Sequence, residues 1–76
     1  MIEILCKVDS VEVIAVGRSI RTLNFLQKRF GRGRWRKMKG VATIRDHNGA
    51  VLRNEIHWYE AHGIGRVLIK RKENGD

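Results

Sequence analysis

Asn48-Gly49 lies between two runs rich in β-branched and aromatic residues, 41–46 and 51–59. Both residues tolerate positive φ, so the pair closes a tight turn and the flanking runs become the arms of a hairpin. A two-residue turn pairs His47 with Ala50, and hence Thr43 with Asn54 and Val41 with Ile56. Side chains alternate along each arm. This register puts Val41, Leu52, Ile56 and Trp58 on one face, read as core beneath a helix, and Arg53, Glu55, His57 and Tyr59 on the other. Ala42, Ile44 and Val51 fall on that polar face with them. A longer loop or a bulge would move the register and exchange the faces.

The remaining segments fit around this hairpin. Residues 2–8 alternate, with Ile2, Ile4, Cys6 and Val8 against Glu3 and Lys7, which predicts a strand with Cys6 as a buried, inert thiol. Residues 11–16 are β-rich again, giving either a hairpin or one bent strand that Gly17 ends. Ser19 is placed to N-cap a helix over about 20–30. Ile20, Leu23, Leu26 and Phe30 share one face of it, Phe25 points away from them toward a second contact, and Gly31 sits at the C′ position. Residues 31–40 have no period and are read as a loop. Residues 66–72 alternate apolar and basic as a last strand, and 73–76 form a frayed tail. The expectation is an α+β fold: one helix packed on an antiparallel sheet of four to five strands, order β(β)-α-β-β-β, in a single domain over 1–72.

A chain of 76 residues buries only a small core, which a homodimer or a bound partner would relieve. No apolar run reaches the length of a membrane span, and Met1-Ile2-Glu3-Ile4 lacks the basic region of a signal peptide. A single cysteine excludes an intrachain disulfide and a cysteine-based zinc site. A cytoplasmic setting, with no membrane partner, fits these features.

Charge points to a polyanionic partner. Sixteen Lys and Arg stand against eight Asp and Glu, a net charge of +8. Lys28, Arg29, Arg32, Arg34, Arg36, Lys37 and Lys39 fall within twelve residues with no acid among them, and Arg66, Lys70, Arg71 and Lys72 form a second cluster. Arg32, Arg34, Arg36, Lys37, Lys39, Arg66, Lys70 and Arg71 are expected to contact phosphates. Trp35 either stacks on an unpaired base or folds back as a lid on the core. A sheet with aromatics and no helix-turn-helix favours RNA over DNA. The same surface could instead dock an acidic protein.

Residues 55–65 hold the densest chemistry, and three readings are open. In one, His57, Glu60 and His62 bind a metal, but their spacing matches no standard motif, so neither metal nor cofactor is expected. In another, the chain is a metal-independent endoribonuclease of toxin–antitoxin type. Glu55 or neutral His57 takes a proton from a ribose 2′-OH, His57 or His62 protonates the leaving oxygen, and Arg53 or Arg66 stabilises the charged phosphorane. In the third, Trp58 is core, Tyr59 packs at a sheet edge, and the histidines hydrogen-bond the loop backbone. Gly63-Ile64-Gly65-Arg66 is read as a tight turn between strands.

Arg34-Trp35-Arg36-Lys37-Met38-Lys39-Gly40-Val41-Ala42-Thr43 and Ile56-His57-Trp58-Tyr59-Glu60-Ala61-His62-Gly63-Ile64-Gly65 resemble segments of short, uncharacterised bacterial proteins. The resemblance runs from about Lys28 to Arg71, over half the chain. It implies a bacterial origin and carries no activity. The size, basicity and helix-then-three-strands order are also similar, at the level of fold, to small ribonuclease toxins.

Overall fold

The computed structural model describes residues 2–72, so the expected tail at 73–76 lies outside the described residues. The strands are β1 (Glu3–Ile4), β2 (Asp9–Val16), β3 (Arg36–Arg45), β4 (Val51–Ala61) and β5 (Gly65–Arg71). A 3₁₀ turn at Gly17–Ser19 and one helix, α1 (Leu23–Phe30), lie between β2 and β3. The class is α+β, mostly antiparallel sheet with one helix, and the sheet curls into a half-barrel. No helix among the described residues is long and apolar enough to cross a membrane.

β1 and β2 do not pair with each other. Both pair antiparallel with the same edge of β3, β1 at Glu3↔Arg45 and Ile4↔Ile44, β2 from Asp9↔Val41 to Val16↔Arg36. Leu5 N–H donates to the Thr43 carbonyl across the interruption, at 2.9 Å. The two are one bent edge strand, interrupted over residues 5–8, with a further register shift inside β2 between Asp9 and Glu12, where Ser10 takes φ 55°. Cys6 falls in that interruption and is exposed, which corrects its expected burial. Hydrogen bonds involving the Thr43 backbone, then its side chain, hold the Cys6 thiol below its ordinary pKa.

The β3–β4 hairpin is closed by a longer loop than a two-residue Asn-Gly turn. Asp46 N–H donates to the Ala50 carbonyl, and the Asp46 carboxylate accepts from the N–H groups of Asn48 (2.9 Å) and Ala50 (3.0 Å). Gly49 supplies the positive φ, 85°. Arg45 therefore pairs with Val51, Val41 with Glu55, and Gly40 with Ile56. Relative to the expected register, β3 has slipped by one residue and every β3 side chain has changed face. The β4 faces stand as expected. Ala42 and Ile44 join Met38, Ile56 and Trp58 in a buried cluster with Val8, whereas Val41 moves to the face of His57.

Gly40 is buried on β3 with no room for a side chain. A Cβ built there would lie 2.5 Å from Val8 Cγ1, 3.1 Å from the Asp9 carbonyl oxygen and 3.2 Å from Trp58 Cη2. Only a residue without a side chain lets Val8 and Trp58 close over the strand.

The second cluster lies on the opposite face and contains the helix. Ile20, Leu26, Trp35 and Ala61 are buried together, with Ala15, Leu23, Phe30, Tyr59, Ile64 and Val67 packed against them. Tyr59 and Ala61 alternate with Trp58 along β4, so α1 covers the His57 side of the sheet and not the Ile56–Trp58 side expected for it. The helix begins at Leu23, later than expected. Ser19 ends the 3₁₀ turn, and Thr22 flanks the helix without a side-chain cap bond. Its C-terminus is held firmly: Gly31, at φ 118°, donates its N–H to the Gln27 carbonyl, and Trp35 Nε1–H donates to the Gly31 carbonyl at 2.9 Å.

We expect Gly40→Ala to destabilise the fold by about 1–3 kcal/mol through overpacking. Urea denaturation measures this directly. A wild-type midpoint in the variant would mean that Val8 and Trp58 do not close on Gly40.

Candidate nucleic-acid interface

Ion pairing leaves ten of the sixteen basic residues without a carboxylate partner among the described residues: six on one lobe, and Lys7, Lys37, Arg66 and Lys70 elsewhere. Arg36, Lys39, Arg45, Arg53, Arg71 and Lys72 lie within 4.0 Å of Glu60, Glu12, Glu3, Asp9, Asp46 and Glu55 respectively. These pairs use every acid among the described residues. Arg18, Arg21, Lys28, Arg29, Arg32 and Arg34 are all exposed and have no carboxylate partner among the described residues. They decorate one lobe, made of the 3₁₀ turn, α1 and the loop to β3.

The placement differs from the two sequence clusters. The expected loop at 31–40 is strand from Arg36 onward, which carries Arg36, Lys37 and Lys39 onto the sheet. Arg36 and Lys39 are then neutralised, and Lys37 Nζ lies 6.0 Å from the Tyr59 ring centre. In the second cluster, the Arg66 guanidinium lies 5.0 Å from the Trp58 ring centre, and Arg71 and Lys72 are ion-paired. Only Lys70 of that cluster has neither partner among the described residues. Arg18 and Arg21 were missed because they stand singly in the sequence. A window drawn by acids would have included them, since no Asp or Glu occurs between Glu12 and Asp46.

Trp35 is 1% exposed and its indole N–H is committed to Gly31, so it belongs to the core and cannot stack on a base. Phe25 is the exposed aromatic of the lobe, on the outer side of α1. A groove of about 510 Å³ opens between the ends of β2 and β3 and the helix, lined by Val16, Leu23 and Trp35 and rimmed by Arg18, Arg34, Arg36 and Gln27.

Of the expected catalytic residues, Glu55 and His57 meet. His57 Nε2 and Glu55 Oε2 are 2.7 Å apart, both side chains half-buried. Lys39 and Lys70 are the cross-strand neighbours of His57, one on each side. Arg53 shares this face but pairs with Asp9 at 2.8 Å. His62 is exposed in the β4–β5 turn beyond Ala61, four strand steps or ~13 Å past His57 at the level of Ala61. Glu60 points to the opposite face, where it accepts from Trp58 Nε1–H and Arg36. Among the described residues, no group of three His, Cys, Asp or Glu could hold a metal ion.

Compared with known proteins, the chain matches no family model, no curated protein and no solved structure.

The hydrogen bond from His57 holds the Glu55 carboxyl below its ordinary value of 4.5, against burial that raises it, with Lys72, His57 and Lys39 adding charge. A carboxyl with a lowered folded pKa stabilises the fold above its unfolded value, and that contribution is lost as pH falls through the folded value. Wild-type stability in urea should therefore drop on acidification below about pH 4.5, and Glu55→Gln should flatten that part of the profile. Identical profiles would show that the Glu55–His57 bond does not form.

Proposed function

We propose that the chain is a small nucleic-acid-binding protein, with single-stranded RNA favoured, and that the helical lobe is its contact surface. One observation carries this reading: six exposed cations gather on a lobe without acids, while every described acid is spent on the sheet. Charges kept only for solubility gain nothing from being crowded, because like charges repel in the folded state. A polyanion relieves that repulsion and releases its counterions. Single strands are favoured because an apolar groove and an exposed Phe25 beside the cations suit bases that are not already stacked.

The test compares the two sets of cations. With about five phosphate contacts, log K should fall with log salt at a slope of roughly −3.5 on single-stranded RNA. Replacing Arg29 and Arg32 by Gln should lower the slope by about 1.4, two contacts' worth. Replacing Arg45 and Lys72, both ion-paired on the sheet, should leave it unchanged. Fluorescence anisotropy over a salt series reads both. Equal losses from the two pairs would mean that overall charge and not the lobe governs binding. Tighter binding of an acidic protein than of RNA would favour the docking-module alternative.

A second reading rests on the Glu55–His57 pair. With His57 donating through Nε2–H to Glu55, Nδ1 keeps its lone pair and can take the proton of a ribose 2′-OH. The 2′-oxygen then bonds to phosphorus as the bond to the 5′-oxygen breaks. The Lys70 ammonium, on the cross-strand neighbour of His57, would stabilise the phosphorane and give the leaving oxygen its proton. The products would be a 2′,3′-cyclic phosphate and a 5′-hydroxyl. Under this reading, wild type cuts RNA in EDTA, and His57→Ala abolishes cutting while keeping salt-dependent binding. RNA that stays intact with wild type would remove the enzyme reading and leave the binding module.

A further inference from the structure

We propose that the groove between β2, β3 and α1 seats one unstacked nucleotide of a single strand, its base on the apolar floor and its phosphate between Arg18 and Arg34. This rests on the nucleic-acid reading and adds to it a defined subsite.

The groove has the dimensions for the task. Its volume, about 510 Å³, lies within the roughly 300–1,000 Å³ of small-ligand sites. Val16 and Leu23 supply apolar surface beside the edge of the buried Trp35. Gln27, half-buried on the helix wall, carries both a donor and an acceptor on one amide, which suits the polar edge of a base. Gly17, at φ 49°, makes the left-handed turn by which the chain leaves β2 at the groove.

The 3₁₀ turn and the loop before β3 supply the phosphate end. β2 and β3 pair at Val16↔Arg36, and the ladder continues as Gly17 N–H donates to the Trp35 carbonyl at 2.9 Å. Gly17 then leaves the ladder into the 3₁₀ turn, and Arg18 from that turn and Arg34 from the loop both line the same groove, with no carboxylate partner for either among the described residues. Two guanidinium groups brought together repel, and an anion between them reverses the sign of that interaction. Arg36, the third arginine on the rim, is already paired with Glu60. Charge thus selects an anion and the floor selects a flat apolar body; a nucleotide supplies both in one unit.

The experiment uses the full chain with an adenylate oligomer, a uridylate oligomer, an abasic ribose-phosphate oligomer of equal length, and a glutamate oligomer. We expect the base-bearing RNAs to bind about tenfold more tightly than the abasic chain, the scale of one stacked base. Val16→Gln, at an exposed position, should erase most of that difference and leave the salt slope unchanged. Arg18→Gln with Arg34→Gln should lower the slope by about 1.4 for all phosphate oligomers. Signals of the Gln27 side-chain amide and the Trp35 indole N–H should shift with base-bearing oligomers and not with the abasic one. Equal binding of abasic and base-bearing chains, with the salt slope intact, would overturn the subsite and leave the nucleic-acid reading standing. Absence of salt-dependent RNA binding, or tighter binding of the glutamate oligomer, would overturn both.

Discussion

One oxygen of Asp46 accepts two backbone N–H groups, from Asn48 and Ala50, and the arrangement of the whole sheet follows from it. A carboxylate that stands in for a backbone acceptor stabilises a turn longer than two residues. Burial alone would raise the Asp46 pKa; the N–H groups of Ala50 and Asn48, with His47 and Arg71, outweigh it and keep the carboxyl below its ordinary value. The turn then sets β3 one residue out from the two-residue register. Met38, Ala42 and Ile44 meet Ile56 and Trp58 on one face, and Lys37, Lys39 and Val41 meet Tyr59, His57 and Glu55 on the other.

The two tryptophans show why both faces of so small a sheet are used. Trp58 fills the curl over Gly40, and its indole N–H donates to Glu60. Trp35 fills the space under α1, with Phe30 6.1 Å away between ring centres, and its N–H donates to Gly31. A helix of eight residues is too short to persist alone in water. Trp35 fixes its C-terminal end while Leu26 is buried completely. The lobe that bears the unpaired cations is therefore held by packing from within; among those cations, Arg29 lies 5.6 Å from the Phe30 ring centre.

What could be read from the sequence was what depends on neighbours along one strand. Alternation along β4 predicted Ile56 and Trp58 inside, and both are at most 1% exposed. It also placed Glu55 beside His57, where they bond. What could not be read depended on contacts distant in the chain. The turn at Asp46 looks like a two-residue Asn-Gly turn until its side chain is seen to accept two N–H bonds. Trp35 looked like a stacking residue because its neighbours are cations, yet its burial is decided by Ile20, Leu26 and Ala61. Cys6 fits an alternating strand, but the break before β2 leaves it outside. Arg36, Lys39 and Arg71 were grouped with the phosphate-binding residues because their carboxylates, Glu60, Glu12 and Asp46, lie more than twenty positions away.

The distribution of acids gives the charge its meaning. Surface ion pairs contribute little stability each, about 0–1 kcal/mol, so the sheet is not held together by its six. Their larger effect is on the field. By cancelling six cations elsewhere they leave ten without a carboxylate partner among the described residues, and six of those ten are on the lobe, where the 3₁₀ turn, the helix and the loop converge on one groove. There, the backbone ladder of β2 and β3 stops where Gly17 turns the chain away, and Arg18 from the turn and Arg34 from the loop line one groove. The turn that finishes the sheet thus leaves two like charges on one groove, where an anion would relieve their repulsion.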